Sequence, residues 1–318
     1  MSIQGSALFI LILLSLIIVC TSSPISSNIW HRGNAPPPAG TVVVSPNPEN
    51  ASVLPSKPLS DNGLYVGFRA SRYGITPFPD PTYWYAIGND MSGKFEGSRI
   101  GGIWVVGEAG DDGGCVLNFP SSGRYDHISF SNKEINEAYL NYFDQKGVSV
   151  FLQVEPGDAN VSDLIKLVLD RYSHHPCVAG FGVDVEWYKY RDYPDGKRVS
   201  DQEAAEWYGL VSSYNRSYTL FLKHWLEGKM PPTYRKGVYF IDDSQGFSSL
   251  DEMTKDFIAW GRSFPDNPVG FQVGYPADKK WWADYDDPFN TIGHSLLKDI
   301  DNTKGIYWVD FSIRDIYP

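Results

Sequence analysis

The sequence predicts an α/β protein folded as a (β/α)8-type TIM barrel, and three observations carry that expectation. From Leu64 onward, short β-branched or aromatic runs alternate with amphipathic segments of helical period, which is the pattern of a parallel sheet with helical crossovers. No linker composition interrupts this alternation between residue 61 and the C-terminus, as it would between two doubly wound domains. The span 61–318 also has the length of one such barrel, about 250 residues.

Seven strands are legible in order: "LYVGFR" (64–69), "IGGIWVVGE" (100–108), "VSVFLQVE" (148–155), "VAGFGVDVEW" (178–187), "GVYFID" (237–242), "VGFQVGY" (269–275) and "GIYWVDF" (305–311). Between them, "NKEINEAYLNYFDQKG" reads as a helix from a cap-competent Asn132 to Gly147, and "NVSDLIKLVLDRYSHHP" as a second. "SDQEAAEWYGLVSSYNRSYTLFLKHWLEG" (200–228) reads as one long helix, and "SLDEMTKDFIAWGRSF" as another; each has cap residues and apolar positions three and four apart. The eighth strand is expected within 111–132 or around 281–285, leaving an irregular barrel with seven clear strands.

Upstream of the barrel, Ala7–Val19 is an apolar run too short for a comfortable membrane span but suited to a signal-peptide core. Residues 1–22 are therefore expected to be a signal peptide or N-terminal anchor, although no Lys or Arg precedes the run. Residues 23–60, rich in Pro and Ser, read as a stalk. The expected location is extracellular or at the cell surface, with the N-terminus available for tethering. Sequons at Asn50, Asn160 and Asn215 fit export.

The net charge of −11 repels phosphate backbones, so nucleic acid is excluded as a partner. Cys115 and Cys177 fall toward opposite ends of a barrel and are expected to be unpaired. His174 and His175 precede the fourth strand, on the face opposite the site, and read as structural or surface residues. "GEAGDDGG" (107–114) lacks EF-hand spacing and reads as a flexible lid. Neither a metal nor a cofactor is expected, and the chain is expected to be a monomer.

The chemistry gathers at the strand ends, where barrel active sites form. Asp184 and Glu186 lie two residues apart on the fourth strand, so alternation turns both inward above Gly182, with Val183 and Val185 outward. The same parity turns Gln153 and Glu155 inward. Glu108, Asp242 or Asp243, Tyr275, Trp308 and Asp310 lie at or near other strand ends. Arg69 and Arg72 flank the first strand's end and read as structural ion-pair partners. No Lys, Cys or Ser-His arrangement is apparent at these ends. Crowded carboxylates raise at least one pKa, giving the protonated and ionised acids that glycosidic cleavage uses.

"GFGVDVEWY" resembles the strand-four motif D-G-x-D-x-D-x-E of chitinase-type family 18 glycoside hydrolases, with Gly180, Asp184 and Glu186 at the glycine, last aspartate and glutamate. Ala179 and Gly182 replace the two earlier aspartates. "FQVGYP" resembles that family's M-x-Y-[DN], matching at Tyr275 but with Val273 and Pro276 in place of the Met and the acid. Trp308 falls where the last strand places a Trp at the floor of the sugar site. The D-x-E also resembles family 25 lysozymes.

The resemblance implies a retaining mechanism on an N-acetylated sugar. In it Asp184 orients the attacking acetamide, Glu186 acts as acid and then base, and Tyr275 donates to the acetamide. The expected activity is that of an exported glycoside hydrolase acting on a polysaccharide or glycan. The alternative is a non-catalytic carbohydrate-binding or cell-surface protein on the same barrel, which the replaced aspartates favour and the intact D-x-E opposes.

Overall fold

A computed structural model describes residues 63–318; the expected signal segment or anchor and the stalk lie outside them. Strands β1 (Tyr65–Ala70) and β2 (Arg99–Ala109) are followed by two short strands, β3 (Cys115–Leu117) and β4 (Ile128–Phe130). Then come β5 (Ser149–Val154), β6 (Val178–Asp184), β7 (Thr219–Lys223), β8 (Val238–Asp242), β9 (Val269–Val273) and β10 (Thr303–Val309). β1 pairs in parallel with both β2 and β10, so β1, β2 and β5 through β10 close an eight-stranded parallel ring. All seven expected strands are members.

The eighth member is β7, and it corrects the long helix expected over 200–228. Helix α4 (Asp201–Tyr214) starts with a capping box in which Ser200 and Glu203 bond reciprocally, as S-x-x-E should. It stops because Asn215 turns extended, its side chain accepting the Ser217 N–H at 2.9 Å. The period then changes from helical to alternating: Phe221 joins the barrel interior, while Leu220 and Leu222 join the outer core.

Two smaller expectations also change. Helix α2 (Glu137–Lys146) begins four residues later than a cap at Asn132 would place it, and ends as expected at Gly147, whose φ of 68° an L side chain resists. The 107–114 stretch is a hairpin turn between β2 and antiparallel β3, closed by Gly110 N–H to Gly114 O at 2.8 Å, rather than a lid.

The barrel axis is filled by rings. Tyr65, Phe151, Phe221, Tyr239 and Tyr307 form one buried cluster with Ile103, Ala179 and Ile241, and the Phe151 ring lies 5.4 to 6.0 Å from Tyr65, Phe221 and Tyr239. Glycines face these rings because nothing larger fits: a Cβ on Gly182 would stand 1.9 Å from the Phe221 ring, and one on Gly270 2.0 Å from the Tyr239 hydroxyl. Helices pack outside on a second core that includes Phe68, Trp84, Phe143, Phe181 and Trp308. Among the described residues, no helix is long and apolar enough to cross a membrane.

Cys115 and Cys177 are free and buried. His175 is buried away from the strand ends, one ring nitrogen 2.7 Å from Asp144 and the other 3.1 Å from Glu137.

Candidate active site

Above the rings, alternation carries the next inward residue of most strands to the barrel mouth. There a cavity of about 480 Å³ is lined by Asp184, Glu186, Tyr275, Glu155 and Glu108, five of the nine residues expected at the site. Its aromatic walls are Trp187, Tyr73, Tyr275 and Phe311.

Two buried cations organise the floor. Lys223, at the end of β7, places its ammonium 2.8 Å from Asp184 and 2.5 Å from Asp243. Burial alone would lower its pKa, but Asp184 and Asp243 outweigh it and hold the group well above its ordinary value. Arg69, at the end of β1, gives Nη1 to Asp310 at 2.9 Å and to Ser71 Oγ at 2.8 Å. Its Nη2 donates to the Tyr73 hydroxyl, which donates in turn to Glu155. The other Glu155 oxygen accepts the Ala109 N–H at 3.0 Å. Arg69 is thus an ion-pair residue, as expected, and also a wall of the cavity. The expectation that no Lys stands at the strand ends is overturned by Lys223.

The two acids of the D-x-E motif differ in setting. Asp184 is 1% exposed, and its Oδ2 also accepts from Gln153 at 3.2 Å. Burial pushes its carboxyl up, Lys223 pulls it back, and Glu186 and Asp243 push again. Glu186 lies past the strand, in a short 3-10 turn (Val185–Trp187), and is half-buried. Its pKa is raised by burial, reduced somewhat by Lys223, and raised further by Asp243 and Glu155. Glu108 is likewise raised, by burial first and Glu155 among its neighbours, while Asn118 donates to it at 3.1 Å.

Four expected residues lie elsewhere. Trp308 is fully buried in the outer core, beside Trp282 and Phe289 and bonded to Ser312, because Tyr307 takes the inward parity of β10. Asp242 faces outward because Tyr239 and Ile241 set the inward parity of β8, which brings Asp243 to the cavity instead. Gln153 and Asp310 stand behind the lining, holding Asp184 and Arg69. Tyr275 lines the cavity, but its hydroxyl is donated to Gln272 at 3.0 Å.

Sequence reasoning missed Lys223, Tyr73, Trp187, Gln245 and Phe311. Only Lys223 carried a signal, the alternation of Thr219 to Lys223; the others sit on turns and loops, which have no period.

No protein-family model matches the chain, and no curated protein is significantly similar to it. Among solved structures, an FMN-binding beta-glucuronidase from Facaelibacterium prausnitzii L2-6 superposes with a TM-score of 0.47 at 12% identity, over 81% of this chain and 38% of that one. A psychrophilic glycoside hydrolase family 10 endo-beta-1,4-xylanase gives 0.42 at 8% identity, over 79% and 87% of the two chains. A GH2 beta-galacturonidase from Eisenbergiella tayi gives 0.34 at 12% identity, over 57% and 37%. This chain thus spans well under half the length of the glucuronidase. None of the three is a family 18 or family 25 enzyme. Likeness at these values carries nothing about activity, and the barrel rests on its own strand pairing.

Proposed function

We propose that the barrel is a glycoside hydrolase in which Glu186 is the general acid and Glu155 the carboxylate facing it. The observation that carries this reading is the contrast between the two acids within one aromatic-walled cavity. Glu186 is half-exposed, raised in pKa, and without a hydrogen bond or ion pair among the described residues. Glu155 is fixed by Ala109 N–H and the Tyr73 hydroxyl. Glu186 then protonates the departing glycosidic oxygen while Glu155 faces the positive charge growing on the sugar ring, and water completes the hydrolysis.

The acetamide-assisted route is the less favoured version. It relays charge to the residue matching Asp184 through acids at positions 179 and 182, and here the Phe221 ring leaves no room for any side chain at Gly182. Lys223 engages Asp184 instead. Export, a stalk over 23–60, and a carbohydrate partner belong to the same proposal.

The test is turnover of a panel of oligosaccharides by the parent chain and by Glu186→Gln, read as new reducing ends. A general acid predicts a loss of about two to four orders of magnitude on natural-type substrates, and a much smaller one on an activated aryl glycoside. Near-parental turnover by Glu186→Gln would overturn the assignment. Binding without turnover by the parent would make the barrel a carbohydrate-binding protein.

A further inference from the structure

We propose that the glycan this site accepts carries free amino groups, so that an ammonium on the sugar is bound by Asp184 and Asp243. The inference rests on the glycosidase reading and adds the charge of its substrate. Five acids line the cavity against two cations, and with Glu186 protonated as the general acid the formal excess is two negative charges. Neither cation is left to receive an anionic sugar: Lys223 is held between two carboxylates, and Arg69 is spent on Asp310, Ser71 and Tyr73. A uronic acid entering here would meet Glu108 and Glu155 with no free counter-charge.

A second, independent observation concerns unfilled hydrogen-bonding capacity. Asp184 and Asp243 are 1% and 3% exposed, and the Oδ1 of each has no partner among the described residues although its Oδ2 is bonded to Lys223. A buried acceptor left empty costs free energy that a bound donor recovers. An ammonium brings three donors and a positive charge, whereas an N-acetyl group offers one weaker donor and a hydroxyl one donor without charge. A free inorganic cation could supply the same charge, and the experiment separates the two sources.

Calorimetric titration of the full chain would use oligosaccharides in both gluco and galacto series, each as free amine, N-acetylated, neutral and uronate forms. Titrations would be repeated with calcium, magnesium or EDTA. The amines should bind about tenfold to a hundredfold more tightly than the acetylated and neutral members, with uronates weakest. The preference should shrink as salt rises. Asp243→Asn should remove most of the preference for amines over neutral members; the parent's ranking decides the matter even if that variant does not fold.

Amines binding no better than neutral members would overturn the proposal, and the hydrolase reading would stand if neutral or acetylated members were cleaved. Tight binding of calcium or magnesium that removed the amine preference would also overturn it, in favour of an inorganic cation. Neither binding nor cleavage of any member would overturn both readings.

Discussion

Lys223 holds two carboxylates that would otherwise face each other in a buried site. Lys223→Met keeps the apolar stem but removes the charge, leaving Asp184 and Asp243 uncompensated, so a loss of about 3–5 kcal/mol is expected by denaturant unfolding near neutral pH. The deficit should shrink in acid, where the carboxyls take up protons. Glu186 predicts a second pH effect. Its pKa in the folded chain is raised above the ordinary 4.5, so its contribution to stability is full below 4.5 and is lost as pH rises through the raised value. Glu186→Gln has no such loss and should gain stability relative to the parent as pH rises from 4.5 through the raised value, read as a widening difference in Tm. A constant difference across that range would remove the perturbed carboxyl from the account. Asp184, Glu186 and Glu155 were legible in the sequence because each is an acid at or just past the end of an apolar strand, where barrel sites form. Lys223 was not, because its strand had been absorbed into a helix.

At the scale of elements, seven of eight barrel strands could be read from β-branched and aromatic runs. β7 could not, because its apolar residues also fit a helical continuation of α4, and only the turn at Asn215 separates the two. Trp308, placed by the resemblance, and Asp242, named with Asp243 for its position at a strand end, proved to face outward: alternation shows that neighbours face opposite ways, and which set faces inward depends on packing that the sequence does not display. The packing between β6 and β7 predicts its own test. Gly182→Ala would set a methyl 1.9 Å from the Phe221 ring, and the ring is hemmed in by Phe151 and Tyr239 at 6.0 and 6.5 Å. A cost of about 1–3 kcal/mol is expected from overpacking. Gly182→Ala/Phe221→Leu should recover part of it, and denaturant midpoints for the parent, both single variants and the double would show the coupling.

For the barrel as a whole, closure of the ring decides where chemistry can occur. Seven of the eight barrel strands send a side chain into the axial cluster, with Gly270 of β9 yielding its place to the Tyr239 hydroxyl. No member of that cluster is more than 8% exposed. The cavity above it therefore has a doorway and no back exit. If the barrel is the proposed hydrolase, a sugar released there must leave past the next one waiting to come in, so the freed fragment and the incoming chain contend for the same empty protein. Under the proposed hydrolase reading, initial rates at several concentrations of added product should show a rising KM and an unchanged kcat. A falling kcat would mean that the fragment occupies a station the entering chain does not need.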